Sequence, residues 1–169
     1  MITLFHAIDT SNFMTIQNLQ AMQGYLPSAS FASLLSGNAD PQSFYQMANA
    51  NKEKEDFFEN VRINEYPNAT SRLGALFCFV QHSDAEYANE NWWNNERLIV
   101  EAIPANVTSI TTYDSRHLDT NQENWLNAAR SYFASEETAT PLLEVVICGR
   151  IFIPSWTEIV QEYHVTIEM

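Results

Sequence analysis

Glycine is scarce in this chain, and its scarcity excludes a large class of nucleotide-binding proteins. The 169 residues include only four glycines, which lie far apart at positions 24, 37, 74 and 149. A phosphate-binding loop or a dinucleotide-binding βαβ unit needs closely spaced glycines, because the backbone must approach the phosphates. Both motifs are therefore excluded, and any dinucleotide would bind as a substrate in a cleft rather than as a redox cofactor.

Positive charge is also scarce, which restricts the partners that the surface can attract. Eight Lys and Arg residues stand against 21 Asp and Glu residues, so the formal net charge is -13. Nucleic acid phosphates repel such a surface, whereas a basic protein surface is attracted to it. An acidic, non-enzymatic inhibitor that mimics DNA stays open as an alternative, although the acids are scattered among Asn and Gln residues.

Cysteine and histidine do not form a recognisable metal-binding pattern. Cys78 and Cys148 each lie in an apolar run, which predicts buried thiols in a reducing compartment. A disulfide between them stays open if their strands are neighbours. His82, His117 and His164 have no mutual spacing typical of metal ligands. We therefore expect no metal.

Long apolar runs are absent from the sequence. No stretch reaches the roughly 18 apolar residues that a membrane-spanning helix needs. The opening residues, MITLFHAIDTSN, have neither the basic start nor the apolar centre of a signal peptide. We expect a cytoplasmic protein without a membrane partner, acting in the host cytosol if a phage encodes it or if it is an effector.

The residues that are abundant predict a folded α+β protein. Apolar residues make up 46% of the chain and aromatic residues 12%, enough for one domain over residues 1–169 with a real core. The clearest helix is 121–134, in which Trp125, Ala128, Ala129 and Tyr132 share one stripe. The predicted strands are 2–8, 73–80, 97–104, 109–114 and 142–154, the last being one strand or two kinked at Gly149. The other predicted helices are 28–37, 40–64 (one helix or two) and 83–93, while 10–24 is helical or irregular and 157–169 is a strand or a short helix.

One carboxylate stands in an unexpected place. Glu144 opens an apolar run within the stretch PLLEVVICGRIFIPSW, residues 141–156. A charged side chain at the start of a strand that is about to be buried has two interpretations. It is either an edge residue that faces solvent or a carboxylate that the strand holds in place for chemistry.

The order of the motifs resembles that of the ADP-ribosyltransferase superfamily. A first strand carries His6, and a strand-helix unit follows as SRLGALFCFVQHSDAEYANENW. A further strand, RLIVEAI, comes before a late strand, LEVVICGRIFIP, that begins with Glu144. This late strand is most similar to the end of DNA-targeting toxins of the superfamily. The resemblance implies a split or bent β-sheet with flanking helices and a central NAD cleft. It also implies a mono-ADP-ribosyltransferase, a glycosyltransferase that modifies a macromolecular target as a toxin, effector or phage protein.

The resemblance assigns a role to each of five residues. Glu144 would be catalytic, because a fixed carboxylate stabilises the positive charge that develops on the ribose when its bond to nicotinamide breaks. His6 would bind a ribose hydroxyl, and Arg72 would hold the pyrophosphate through paired hydrogen bonds. Ser71 would support the ribose or Arg72, and Phe77 would stack on nicotinamide. His6, Arg72 and Glu144 should then converge on one NAD molecule.

Two positions depart from the family pattern and keep other interpretations open. Ala7 follows His6 where the family often has glycine, and Phe77 stands where one branch has tyrosine. His6 is otherwise an ordinary strand histidine, Phe77 a core residue and Arg72 the partner of one of the many acids. An inactive ADP-ribosyltransferase-like binding module is therefore a further alternative. If the protein is an enzyme, its acceptor is a protein side chain, a nucleic acid base or a small molecule; we expect a target protein, and the charge disfavours nucleic acid.

Overall fold

The computed structural model describes residues 2–36 and 51–163, which form an α+β fold with a five-stranded antiparallel sheet and flanking helices. This confirms the predicted class. The strands are β1 (Leu4–Ile8), β2 (Tyr25–Pro27), β3 (Leu76–Phe79), β4 (Leu98–Asp114) and β5 (Leu143–Phe152). The helices are α1 (Phe13–Ala21), α2 (Ala29–Ser36), α3 (Lys52–Glu65), α4 (His82–Trp93), α5 (Trp125–Phe133) and α6 (Trp156–Tyr163). Two short 3-10 turns cover Ser115–Leu118 and Gln122–Asn124.

The strands pair in the order β2-β5-β3-β1-β4, and β4 also pairs with β5. The first strand is therefore an inner one. It runs antiparallel to β4, with His6 opposite Val100, and antiparallel to β3, with Phe5 opposite Phe79. The short strand β2 runs antiparallel to β5, with Leu26 opposite Ile151.

The chain forms two compact units, and segments of the sequence belong alternately to one unit and the other. The first unit contains residues 1–27, 78–106 and 150–169, and the second contains residues 28–77 and 107–149. Residue 1 and residues 37–50 and 164–169 of these ranges lie outside the described part of the chain. The expectation of one domain over residues 1–169 stays a prediction.

In the first unit, α4 packs through small side chains. Ala85 and Ala88 are fully buried against Phe79 of β3, with Phe5 and Trp93 at the margin of the cluster. Alanine favours the helix and lets its axis approach the sheet closely. The turn after this helix is held by Asn89, whose side chain bonds both the backbone N-H and the carbonyl of Arg97 at 3.0 Å.

The core of the second unit is aromatic. On the predicted stripe of α5, Trp125, Ala129 and Tyr132 are buried, and Ala128 is partly buried beside them. Tyr132 stacks on Tyr113 of β4, with 4.3 Å between the ring centroids. The rest of this cluster comes from α3, from the residues before β3 and from β5: Phe58, Val61, Ala75, Phe133 and Val146.

The structure differs from the prediction in two places, at β4 and at β2. The strands expected at 97–104 and 109–114 are one continuous strand, β4, in which Asn106 has a positive φ of 49°. The three-residue strand β2 was not predicted, because it is too short to show alternation and ends at Pro27. Part of the helix expected at 40–64 and the end of the segment 157–169 lie outside the described residues.

Candidate functional site

Glu144 is buried rather than directed into solvent. Only 3% of its surface is exposed, although it is the second residue of β5. Its Oε1 atom accepts a hydrogen bond from Arg72 Nη1 and another, at 2.7 Å, from the hydroxyl of Tyr132. The interpretation of a solvent-facing edge carboxylate is therefore wrong, and Glu144 is part of an internal polar network.

Arg72 is the centre of this network. It is 3% exposed, and its guanidinium contacts two carboxyl groups. Nη1 bonds Glu144 and the Tyr132 hydroxyl, the latter at 2.7 Å, while Nε and Nη2 bond the two oxygens of Glu55 at 3.2 and 3.3 Å. The planar fork of arginine suits this geometry, since it presents donors in two directions at once.

Aromatic rings lie against the guanidinium. Its Cζ atom is 4.9 Å from the ring centroid of Phe77 and 5.3 Å from that of Tyr132. An arginine over an aromatic face is favourable, and most of all away from water. We call Glu55, Arg72, Phe77, Tyr132 and Glu144 the Glu144 cluster; all five belong to the second unit.

The turn before β3 places Arg72 in the cluster. Ser71 Oγ accepts from the backbone N-H of Leu73 at 3.1 Å and donates to Glu59 of α3 at 2.9 Å. Glu59 also pairs with Arg62, which donates to the carbonyl of Ala69 at 3.1 Å. Glu55, Glu59 and Arg62 recur at helical spacing, so one face of α3 holds this turn.

Burial controls the protonation of Tyr132. It raises the pKa of the Tyr132 hydroxyl well above its ordinary value, so this group keeps its proton at neutral pH. The hydroxyl can therefore accept from Arg72 and donate to Glu144 at the same time. A single atom thus links the charged partners through hydrogen bonds.

The predicted site residues fall into two groups. Arg72, Phe77 and Glu144 meet in the Glu144 cluster, and Ser71 adjoins it through the turn. His6 belongs to the first unit, where it is half-buried on β1 and its Nδ1 lies 4.0 Å from Cys78 Sγ. The expected convergence of His6, Arg72 and Glu144 on one NAD molecule stays a prediction.

The two thiols do not form a bond with each other. Cys78 and Cys148 are both free, so the alternative of a disulfide is wrong. Complete burial raises the pKa of Cys78 to about 12, and burial also raises the pKa of Cys148. Only a thiolate is a good nucleophile, so neither cysteine is activated for catalysis at neutral pH.

Phe77, Glu55 and Tyr132 show what the sequence interpretation missed. Phe77 was expected to stack on nicotinamide or to fill the core; it packs, partly buried, against the aromatic core of the second unit, and its ring also lies against Arg72. Tyr132 was interpreted as a core residue; its one signal was that a buried tyrosine hydroxyl requires a partner. Nothing in the charged stretch KEKEDFFEN distinguishes Glu55 from the neighbouring acids as a partner of Arg72.

Three further findings concern the described part of the chain. Within residues 2–36 and 51–163, no group of three or more His, Cys, Asp or Glu residues could hold a metal ion. A groove of about 360 Å³ in the first unit is lined by residues of β4 and of the segment 154–162, and none of these belongs to the Glu144 cluster. In the described part of the chain, no helix combines the length and apolar character needed to cross a membrane.

Fold and site together define an α+β protein with a buried arginine-glutamate-tyrosine cluster at the start of its last strand. Comparison with protein families extends this description. Residues 11–162 match the family described as "Protein of unknown function (DUF2441)", so the chain belongs to this family. No curated protein matches the chain. The resemblance to ADP-ribosyltransferases therefore rests on the sequence motifs.

Proposed function

We propose that the protein is a mono-ADP-ribosyltransferase that uses NAD as a substrate to modify a target protein. One observation carries the proposal. Arg72 and Glu144, which the family resemblance selects from motifs 72 residues apart, are in direct side-chain contact. An ADP-ribosyltransferase-like split sheet with an NAD cleft is part of the same proposal.

Glu144 has the properties that the reaction needs. The bond between ribose C1′ and the nicotinamide nitrogen breaks, its electron pair leaves with nicotinamide, and positive charge develops on the ribose. The acceptor then attacks C1′ and releases a proton. A carboxylate held by a strand and by two hydrogen bonds is preorganised to stabilise that charge. Both bonds described for Glu144 end on Oε1, so we assign Oε2 as the acceptor for a ribose hydroxyl.

Arg72 has a double role in this proposal. Its bond to Glu144 orients the carboxylate, and the face bonded to Glu55 is the one that would hold the pyrophosphate. Two oxygens of a phosphate can accept paired hydrogen bonds from a guanidinium, as the two oxygens of a carboxylate do, so a phosphate would compete with Glu55 for Nε and Nη2. His6 would bind a ribose hydroxyl, as the family resemblance implies.

A specific observation favours a second candidate, a binding module without activity. Glu144 is only 3% exposed and bonded to two partners, as in a structural ion pair. Buried ion pairs are retained in some proteins for fold specificity rather than for chemistry. In that case the protein would function by binding alone, and its net charge of -13 would attract a basic partner or let it act as an acidic inhibitor.

The test compares Glu144→Gln with the wild-type protein. Labelled NAD is incubated with each protein and a cell lysate, and ADP-ribose transfer is measured. Gln keeps the shape of Glu and removes its charge, so the rate should fall on the order of a hundredfold or more while NAD affinity changes little. Glu65→Gln is the matched control, because Glu65 forms an exposed ion pair with Arg130. It should leave the rate unchanged.

Folding must be checked, because removing one partner of a buried ion pair costs about 3–5 kcal/mol. A thermal melt tests this, and Glu144→Asp provides a second variant that keeps the charge but shortens its reach. Full transfer by folded Glu144→Gln would refute the role of Glu144. A wild-type protein that transfers no ADP-ribose would favour the binding module.

A further inference from the structure

Tyr132 is the member of the Glu144 cluster for which the family resemblance assigns no role. The side chain is completely buried on α5, and its hydroxyl lies between two charged groups. It accepts from Arg72 Nη1 at 2.7 Å and donates to Glu144 Oε1 at 2.7 Å. Since Arg72 Nη1 also bonds that oxygen, these three groups form a closed set of contacts.

Packing fixes the position of the hydroxyl. The ring of Tyr132 stacks on Tyr113 at 4.3 Å between centroids and meets Phe133 edge to face at 5.0 Å. Phe58 contacts it edge to face on a further side, at 6.2 Å. A ring confined in this way has little freedom to rotate or shift, so its oxygen is a fixed point within the core.

A glutamate needs such a fixed point. The last torsion of Glu, which sets the plane of the carboxylate, has broad and nearly two-fold preferences, so covalent geometry does not hold that plane. A single bond from Arg72 would leave the plane free to turn about the bonded oxygen. Hydrogen-bond donors prefer to lie near the plane of the carboxylate that accepts them, so a second donor on Oε1, the hydroxyl of Tyr132, restrains that plane.

We propose that Tyr132 is a positioning residue that holds the carboxylate of Glu144 in one plane, with Oε1 engaged and Oε2 free for the substrate. This inference rests on the proposed function, because it explains how that function would obtain a preorganised carboxylate. Tyr132 acts through Glu144 and does not touch the reacting atoms.

The experiment uses a matched pair of variants, Tyr132→Phe and Tyr113→Phe. Each removes one buried hydroxyl from the same stacked pair of rings, but the hydroxyl of Tyr113 donates to the carbonyl of Thr70 at 2.9 Å and not to Glu144. Tyr132→Phe should lower kcat for NAD cleavage about tenfold or more and leave KM unchanged, because a misplaced group costs rate rather than binding. Tyr113→Phe should leave both constants at the wild-type value. Equal kcat values for the two variants would overturn the positioning role.

A second measurement does not depend on activity. The denaturation midpoints of Tyr132→Phe, Glu144→Gln and the double variant form a double-mutant cycle, and the same cycle is built with Tyr113→Phe. If Tyr132 holds Glu144, the first cycle is strongly non-additive and the second is closer to additive. An additive first cycle refutes the inference, whether or not the protein cleaves NAD.

The two proposals can therefore fail separately. A wild-type protein that cleaves no NAD overturns the proposed function, and the cycle then decides alone whether Tyr132 holds Glu144. Active wild-type protein with equal kcat in the two tyrosine variants overturns only the role of Tyr132.

Discussion

At the scale of single residues, the main feature is a guanidinium shared by the buried carboxyl group of Glu144 and the partly exposed one of Glu55. Arg72 bonds Glu144 through one nitrogen and Glu55 through two others. Taking such charges out of water is costly unless nearly every donor is satisfied. The hydroxyl of Tyr132 and the faces of two aromatic rings provide further partners. This set of contacts explains why an acidic side chain can open a buried strand.

A second buried carboxylate, Asp114, has a structural role. It accepts hydrogen bonds from the N-H groups of Arg116 and Leu142 at 3.0 Å, and from the N-H and hydroxyl of Thr138 at 2.7 Å. Burial alone would raise the pKa of Asp114, but these hydrogen bonds outweigh burial, so its pKa lies below the ordinary value. Asp114 therefore ties the end of β4 to the loop that precedes β5.

The depressed pKa of Asp114 predicts a pH dependence of stability. A carboxyl group with a lower pKa in the folded state stabilises the fold above its unfolded pKa, which is about 3.9. That contribution is lost as the pH falls through the folded value. At pH 7, Asp114→Asn should lower the free energy of unfolding by about 1–3 kcal/mol. At pH 3 and below, the difference from wild type should shrink.

Urea denaturation at both pH values measures this effect, with Asp56→Asn as the control because Asp56 is exposed on α3. A constant difference between Asp114→Asn and wild type across this pH range would contradict the assigned role. A large effect of Asp56→Asn would show that net charge, rather than Asp114, dominates the acid sensitivity.

At the scale of elements, the connection between α1 and β2 depends on one glycine. Gly24 has a φ of +90°, and a Cβ atom there would lie 2.7 Å from Trp156 Cγ and 2.9 Å from Phe152 Cε2. Its carbonyl also accepts from the N-H of Ile153 at 2.9 Å. The backbone is thus held where β5 ends and α6 begins, and a side chain is excluded both by conformation and by space.

Gly24→Ala should therefore destabilise the protein by about 2 kcal/mol or more, through backbone strain and overlap with two aromatic rings. A thermal melt compares it with Gln17→Ala, which changes an exposed residue of α1. The control should melt near the wild-type temperature. If Gly24→Ala melts there as well, the close packing of Trp156 and Phe152 against residue 24 is not maintained in solution.

At the scale of the whole molecule, charge limits what the protein can bind. The net charge of -13 disfavours nucleic acid and favours a basic protein partner, which would be the acceptor of ADP-ribose under the proposed function. NAD is itself an anion, so an acidic protein must offer it local positive charge or hydrogen-bond donors. Arg72 is the basic residue proposed for this purpose, with His6 as a second donor.

The role of His6 gives a further prediction. If His6 bonds a ribose hydroxyl, His6→Ala should weaken NAD binding roughly tenfold, the effect of losing about 1.4 kcal/mol. Titration calorimetry with NAD measures the affinity. His82→Ala is the control, because His82 lies exposed on α4 and its Nδ1 is 3.4 Å from Glu86. Equal affinity of His6→Ala and wild type would remove His6 from the proposed site.

Local signals in the sequence were sufficient for several features. The apolar runs predicted β1, β3 and β5, because β-branched and aromatic residues alternate or cluster there. The stripe of α5 predicted which residues the helix buries, since helical periodicity determines which side chains share a face. The sequence selected His6, Arg72 and Glu144 as one set; the structure shows Arg72 in contact with Glu144, and the convergence with His6 stays a prediction.

Tertiary structure alone decided the features that depend on contacts between distant residues. Glu55 and Tyr132 join Arg72 from two helices, and no local pattern states which polar groups a fold brings together. Whether Glu144 faced water or the interior depended on what covers β5, whose residues 144–147 are all buried although successive side chains point to opposite faces. The continuity of β4 was likewise decided by its pairing with β1 and β5, which overrides the weak local signal between residues 104 and 109.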